Sequence, residues 1–211
     1  MRDGQRLVIL GGLWLASALL FAGAQPAANH LRGQSSPYLK RAVSQPVDWY
    51  PWGAEAFRRA RQLDRPILLD VGAVWCSTCE RMDRESYTRP EIAGFINANF
   101  VAVKLDYDAR PALTAKLERA HALKNFPAGI PLTGVLTPCG KLYLGGTYFP
   151  PRATDDQPGF AETLRQAADL YRTQRAQIEQ DGFDLKLKEE LREEKAHAGA
   201  GARQPGACSQ R

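Results

Sequence analysis

The feature that most constrains the fold is a pair of cysteines, Cys76 and Cys79, in the stretch Trp-Cys-Ser-Thr-Cys. The apolar residues 67–71 precede the pair and predict a buried strand, and the charged residues that follow predict a helix. On the first turn of a helix, two cysteines three positions apart lie close enough to form a disulfide. The free N–H groups and the dipole at the helix start stabilise a thiolate. The pattern therefore indicates thiol–disulfide chemistry.

Two other interpretations of this cysteine pair are open. A structural zinc site needs two more Cys or His ligands at matching spacing. A purely structural disulfide would close a very short loop and so would contribute little entropy. No second pair is found among the remaining cysteines and histidines, which are Cys139, Cys208, His30, His121 and His197. Cys139 and Cys208 either pair with each other or stay free, and we assign neither a catalytic role.

The N-terminus predicts export. Arg2 and Arg6 flank a polar start, residues 7–21 are almost wholly apolar, and Ala-Gly-Ala follows at 22–24. This is the pattern of a secretory signal, although the apolar run is also near the lower length of a membrane helix. Under either interpretation the positive charges keep the start of the chain in the cytoplasm. We therefore expect a signal peptide or an N-terminal membrane anchor over residues 1–24, and a domain in the periplasm or another extracytoplasmic space.

The rest of the chain predicts one α/β domain with two extensions. Residues 25–53 are rich in Pro, Ser, Gln and aromatic side chains, which predicts an extended segment packed on the domain. Over residues 54–175, a first helix leads into the order strand, helix, helix, strand, helix, strand, strand, helix. This order predicts a mixed sheet of four to five strands with helices on both faces. Residues 176–211 predict a charged helix and a disordered tail.

Charge and composition narrow the function classes. The net charge is +5, but basic residues alternate with acids, as in residues 186–195, which suits a solvated helix face better than a nucleic-acid surface. We therefore expect no nucleic-acid partner. The chain has 2 methionines and 3 histidines, without a tract of either, which counts against the handling of soft metals such as Cu(I).

Particular residues also resemble a known family. Asp70, the cysteine pair, Lys104 and Ile130-Pro131 fall in the order and spacing of the thioredoxin fold. More narrowly, about residues 29–152 resemble the Dsb-like, thioredoxin-like N-terminal domain of the spermatogenesis-associated protein family. The strings that carry this resemblance are Ser36-Pro37-Tyr38-Leu39, Pro46-Val47-Asp48-Trp49-Tyr50-Pro51-Trp52-Gly53, Glu85-Ser86-Tyr87 and Gly145-Gly146-Thr147-Tyr148-Phe149-Pro150-Pro151.

The chain departs from that family between the cysteines. The family usually has His and Trp there, where this chain has Ser77 and Thr78. An activity that depends on that histidine therefore does not carry over. A neutral hydroxyl also gives a thiolate less stabilisation than a charged imidazole, which predicts a less oxidising disulfide.

Position and resemblance together suggest a role for each residue of the pair and its surroundings. Cys76, at the helix start, is expected to attack, and Cys79, one turn deeper, is expected to resolve the mixed disulfide. The resemblance places Asp70 beneath the second cysteine as an acid–base group, with Lys104 as its partner. The alternative for Asp70 is a turn residue or helix cap, and the alternative for Lys104 is a solvent-facing strand residue.

Three further residues are expected to contact the substrate. Trp75 precedes the attacking cysteine and is expected at the exposed rim of the site. The resemblance implies a cis bond before Pro131, with the backbone of Ile130 presented to an extended substrate, whereas an ordinary trans proline is the alternative.

Together these features predict an exported thiol–disulfide oxidoreductase that reduces or isomerises protein disulfides through a Cys76–Cys79 disulfide. We expect protein thiols or disulfides as substrates, a membrane electron donor, no cofactor, no metal and a monomer. The alternatives are a copper-handling module that binds a soft ion through both thiolates, and a thioredoxin-like binding domain that does not use its cysteines for catalysis.

Overall fold

The computed structural model describes residues 29–187. The predicted signal or anchor and most of the predicted tail lie outside these residues. The helices are α1 (Pro37–Arg41), α2 (Ala54–Leu63), α3 (Ser77–Met82), α4 (Pro90–Asn99), α5 (Pro111–Leu123), α6 (Phe160–Thr173) and α7 (Arg175–Asp181). The strands are β1 (Trp49–Pro51), β2 (Ile67–Gly72), β3 (Val101–Asp106), β4 (Leu132–Leu136), β5 (Lys141–Gly146) and β6 (Phe183–Asp184).

One sheet organises the described part of the chain, with the strand order β1-β3-β2-β4-β5-β6. Strands β2 and β3 are parallel, and the crossover between them carries α3 and α4. Strand β4 is antiparallel to β2, and β5 forms a hairpin with β4. A parallel crossover followed by an antiparallel hairpin and a closing helix is the thioredoxin fold. The predicted α/β fold class is confirmed.

The central strand β2 divides the core into two layers. All of its residues are buried, as expected for a strand that helices cover on both faces. Because side chains alternate along a strand, Leu68 packs with α1, α4 and α6, whereas Leu69 packs with α2 and α5 on the other face. The same alternation turns Asp70 and Gly72 toward the face that also carries α3.

The sheet is wider than predicted. Strand β1 pairs in parallel with β3, with Trp49 beside Ala102, and β6 pairs with the start of β5. Both strands lie at sheet edges and have only 3 and 2 residues. Such short segments cannot display the alternation of polar and apolar residues by which a strand is recognised in sequence. The segment before α2 is therefore part of the sheet.

The helix after the cysteine pair also differs from the prediction of one helix to about Ser86. Helix α3 ends at Met82, and a π-helical turn over Asp83–Tyr87 continues it. Such turns within α-helices are frequent at functional sites. Here the turn buries the side chains of Asp83, Ser86 and Tyr87.

None of the helices between residues 29 and 187 combines the length and the apolar character that a membrane-crossing helix needs.

Burial predicts the stability cost of truncating two leucines. Leu69 is fully buried in β2, whereas Leu123, at the end of α5, is 57% exposed. We expect Leu69→Ala to lower the free energy of unfolding by about 2–5 kcal/mol, because it leaves a cavity in the core. The matched Leu123→Ala change should cost about 0.5 kcal/mol or less. Urea denaturation of both variants tests this, and equal losses would contradict the core assignment.

Candidate active site

Cys76 and Cys79 lie at the junction between the central strand β2 and helix α3. Strand β2 ends at Gly72, and a short loop leads to Cys76, which is the N-cap residue of α3. Cys76 and Cys79 form a disulfide with a Cα–Cα distance of 5.3 Å. The backbone N–H of Cys79 donates a hydrogen bond of 3.1 Å to Cys76 Sγ. Cys76 is 7% exposed and Cys79 is 1% exposed, so Cys76 is the more accessible of the two sulfur-bearing residues.

Trp75 lies at the rim of the site, as predicted, with 62% of its surface exposed. Its indole Nε1 donates a hydrogen bond of 2.7 Å to Asp108 Oδ2, and its ring meets Tyr107 edge to face. Val74, its neighbour, is also exposed. The chain therefore presents an apolar surface directly beside Cys76.

The loop before β4 reaches the same end of the sheet. The Ile130–Pro131 bond is cis, in agreement with the resemblance. Leu132, which follows it, pairs with Val71 of β2, directly before Gly72 and the loop to Cys76. The sheet register therefore brings Ile130 and Pro131 to the edge where the cysteine-bearing loop begins.

The predicted pairing of Asp70 with Lys104 is present in the interior. Lys104 lies beside Asp70 in the sheet register, and its Nζ is 2.6 Å from Asp70 Oδ2. Both residues are almost completely buried. Asp70 lies within β2 and is neither a turn residue nor a helix cap, and Lys104 does not face solvent.

A second carboxylate completes an ionic cluster that the sequence analysis did not predict. Asp83, on the π-helical turn, has Oδ1 at 2.9 Å from Lys104 Nζ. Burial alone would lower the pKa of Lys104, but the charges of Asp70 and Asp83 outweigh burial and raise that pKa above its ordinary value. Lys104 therefore stays charged, and two acids share one cation in the interior.

Two tyrosine hydroxyls bind the same aspartate. Tyr38 donates to Asp70 Oδ2 at 2.6 Å, and Tyr87 donates to Oδ1 at 3.3 Å. Burial, followed by the charges of Asp70 and Asp83, raises the pKa of both tyrosines well above the ordinary value, so both hydroxyls keep their protons. Lys104 Nζ also lies within 4.9 Å of the ring centroids of Tyr38, Trp49 and Tyr87. We call Asp70, Asp83, Lys104, Tyr38 and Tyr87 the buried cluster.

The sequence contained only a partial indication of the cluster residues that the sequence analysis did not predict. Tyr38 and Tyr87 lie within two of the strings that carry the family resemblance, but nothing in those strings indicated that both reach one carboxylate. The π-helical turn that carries Asp83 leaves no recognisable pattern in a single sequence.

The described residues include no group of three or more Cys, His, Asp or Glu side chains arranged to hold a metal ion. His121 is fully buried and contacts the backbone oxygens of Leu117 and Thr133 through its two ring nitrogens. Cys139, in the turn between β4 and β5, is not a free thiol. Cys208 lies outside the described residues.

Comparison with protein families agrees with this architecture. The family model Thioredox_DsbH, described as "Protein of unknown function, DUF255", matches residues 28–190. The chain belongs to the DUF255 family. The matched residues include strands β1 to β6, Cys76 and Cys79, and all five residues of the buried cluster.

Curated relatives of this DUF255 chain include the family that the sequence resembles. Spermatogenesis-associated protein 20 is 38% identical over 148 residues in Rattus norvegicus, covering 70% of this chain and 19% of the relative. The Homo sapiens protein is 39% identical over 140 residues, covering 66% and 18%. The thiol:disulfide interchange protein DsbD of Vibrio vulnificus is 27% identical over 128 residues, covering 55% and 21%. The chain spans about a fifth of the length of these relatives.

Solved structures similar to this DUF255 chain include a DsbH oxidoreductase, with a TM-score of 0.46, 18% identity and coverage of 59% of this chain and 85% of the other. A thioredoxin from Thermus thermophilus has a TM-score of 0.45 and 22% identity, and covers 59% and 88%.

The buried cluster predicts that Lys104 is needed for folding. Removal of the cation in Lys104→Met leaves two carboxylates buried without their partner, which should cost about 3–5 kcal/mol of unfolding free energy at pH 7. The loss should shrink at lower pH, because the folded variant takes up protons that its unfolded chain does not yet bind. Urea denaturation at pH 7 and pH 5 measures both effects.

A matched control is Lys124→Met, since within residues 29–187 Lys124 Nζ donates to the backbone oxygen of the exposed residue Asp181 at 3.2 Å. It should change stability by about 0.5 kcal/mol at either pH. A Lys104→Met loss that equals the control, or that does not shrink with falling pH, would contradict the ionic account.

Proposed function

We propose that this protein is a thiol–disulfide oxidoreductase whose redox centre is the Cys76–Cys79 pair. The observation that carries the proposal is the combination of Cys76, the more exposed residue of the pair, at a helix start with Cys79, which is more deeply buried on the face of the sheet that holds Asp70 and Lys104. A purely structural disulfide would not need a buried ionic cluster on the same face of the sheet. The thioredoxin fold of the family and its DsbD relatives support the same chemistry.

Cys76 is the proposed nucleophile. In the reduced protein its thiolate attacks a substrate disulfide, one substrate sulfur leaves, and a mixed disulfide forms. The N–H of Cys79, which already donates to Cys76 Sγ, stabilises the negative charge on the attacking sulfur. Accessibility gives the same assignment, because Cys76 is the more exposed residue of the pair.

Cys79 is the proposed resolving residue. Its thiolate attacks Cys76 Sγ, the Cys76–Cys79 disulfide forms, and the second substrate sulfur leaves, so two electrons pass to the substrate. Asp70 takes up the proton of Cys79, and Lys104 holds Asp70 in place through the bond of 2.6 Å. The buried position of Cys79 protects its thiol from external disulfides.

The substrates are proposed to be thiols or disulfides of other proteins. Trp75 and Val74 offer an apolar contact beside Cys76, and the proposed role of the Ile130 backbone, next to the cis bond, is added-strand pairing with an extended segment. Relatives named for thiol:disulfide interchange support this substrate class.

The proposed place of action is outside the cytoplasmic membrane. The charged start, the apolar run and the Ala-Gly-Ala sequence over residues 1–24 support export. A protein that reduces or isomerises disulfides in an oxidising space needs a continuing supply of electrons, so we propose a membrane electron donor.

A Cys79→Ser variant should trap substrates, because the mixed disulfide on Cys76 can no longer be resolved. Non-reducing electrophoresis of cells that express it should show adducts that disappear on reduction. The double variant with Cys76→Ser as well should show none, since it has no attacking sulfur. Equal adducts in both, or none in either, would contradict the assignment. Stoichiometric copper in the reduced wild-type protein would instead favour metal handling.

The pair should be reducing rather than strongly oxidising. Ser77 and Thr78 carry no charge, and the two acids of the buried cluster exceed its single lysine. Both features leave thiolates weakly stabilised, which favours the disulfide. We expect a potential below about −200 mV in glutathione equilibration, whereas about −120 mV would make the protein an oxidant.

A further inference from the structure

Gly72 leaves a space that two reactive groups share. A Cβ at this position would lie 2.3 Å from the Tyr38 hydroxyl oxygen, 2.6 Å from Tyr38 Cζ and 3.0 Å from Cys79 Sγ. Gly72 ends β2 without a positive φ, so its backbone does not require glycine. What glycine provides here is room, and both the Tyr38 hydroxyl and Cys79 Sγ border that room.

Tyr38 is held in this position by the segment that precedes the thioredoxin core. Ser36 caps α1, because its hydroxyl oxygen accepts a hydrogen bond from the N–H of Leu39. The same hydroxyl donates to the side chain of Asp106, the last residue of β3. Arg41, at the other end of α1, donates to the backbone oxygen of Val74 at 3.1 Å. Helix α1 is therefore tied to the loop that leads to Cys76 and to the strand that carries Lys104.

The hydroxyl of Tyr38 has the connections that a proton relay requires. It donates to Asp70 Oδ2 at 2.6 Å, and a phenol oxygen that donates one bond can still accept another. Tyr38, Asp70 and Cys79 are each 1% exposed. The low exposure of all three residues favours transfer of the Cys79 proton through a protein group rather than through bulk solvent. The groups nearest the Gly72 position are the Tyr38 hydroxyl and Cys79 Sγ, whereas the Tyr87 hydroxyl bonds the other oxygen of Asp70.

We propose that Tyr38 relays the proton of the Cys79 thiol to Asp70 during resolution of the mixed disulfide. The thiol proton passes to the Tyr38 oxygen while the Tyr38 proton passes to Asp70, so the tyrosine ends the step neutral. The Cys79 thiolate then bonds to Cys76 Sγ, the bond from Cys76 to the substrate sulfur breaks, and the substrate leaves as a thiolate with the electron pair. When a donor reduces the disulfide, the same path runs in reverse and returns the proton to Cys79.

This inference rests on the proposed oxidoreductase function and goes beyond it, because it assigns a reaction step to a residue of the N-terminal segment. A structural role for Tyr38 would depend on its ring, which Phe retains, whereas a relay depends on its hydroxyl. The two roles therefore differ in the effect of Tyr38→Phe on the pH dependence of resolution.

The test uses the reduced protein and one equivalent of 5,5′-dithiobis(2-nitrobenzoate), followed by stopped-flow absorbance. Attack by Cys76 releases the first nitrothiolate, and attack by Cys79 releases the second. In Tyr38→Phe we expect the first release to be unchanged and the second to slow by about tenfold or more near pH 6–7. The second rate should approach that of the wild type at high pH, where hydroxide removes the thiol proton directly. Mass spectrometry confirms that Cys76 and Cys79 are the residues that reacted.

The matched control is Tyr87→Phe, which also removes a buried hydroxyl from Asp70. It should slow the second release by no more than about threefold, because the lost bond of 3.3 Å is long and weak. Asp70→Asn removes the proton acceptor and should slow the second release at least as much as Tyr38→Phe. If Tyr38→Phe fails to fold, Gly72→Ala provides the second variant. Its Cβ would lie 2.3 Å from the Tyr38 oxygen and 3.0 Å from Cys79 Sγ, so these groups must shift, and the relay predicts a slower second release near pH 6–7.

The wild-type protein supplies an independent measurement. Two protons move in the proposed step, so the rate of the second release should depend on the deuterium fraction of the solvent along a curve. A straight line, or a pH profile for Tyr38→Phe that matches the wild type, would overturn the relay. Absence of a second release from the wild-type protein would instead overturn the proposed function itself.

Discussion

The structure depends on one buried cation. Lys104 lies in the sheet with two carboxylates within 2.9 Å of its Nζ and three aromatic rings around it. Without such partners, the free-energy cost of removing the lysine charge from water would not be offset by interactions in the interior. The need to satisfy this charge explains why β2 carries an aspartate among apolar residues and why the helix after Cys79 widens into a π-helical turn at Asp83. The five side chains of the buried cluster therefore contribute both to the packing of the interior and to the proposed chemistry.

The N-terminal segment completes this arrangement and is not a separate appendage. Strand β1 extends the sheet beside β3, and its Trp49 ring faces the lysine. Helix α1 brings the Tyr38 hydroxyl to Asp70 in the space that Gly72 leaves. A thioredoxin fold that lacked residues before α2 would leave Asp70 short of a hydrogen bond and Lys104 short of two rings. The proposed acid–base chemistry of Cys79 thus depends on residues outside the strands and helices that define the fold.

Much of this arrangement could be predicted because its signals are local. A cysteine pair between an apolar run and a charged helix predicted a redox centre, and the resemblance to the thioredoxin fold suggested that Asp70 pairs with Lys104. The contacts of Tyr38 and Tyr87 with Asp70 could not be predicted, because they join residues 32 and 17 positions apart and leave no periodic pattern. Strands β1 and β6 are too short to show alternation, and the π-helical turn has no sequence signature.

The central claim is that Asp70 exchanges a proton with Cys79 when the Cys76–Cys79 pair is oxidised or reduced. Carboxyl carbon-13 NMR of the protein, with the Asp70 signal assigned by comparison with Asp70→Asn, tests it most directly. The account predicts that the chemical shift of this signal changes when the Cys76–Cys79 disulfide is reduced, because a proton-bearing thiol then replaces a disulfide sulfur at the end of the relay. An Asp70 signal with the same chemical shift in the oxidised and reduced proteins would contradict the account.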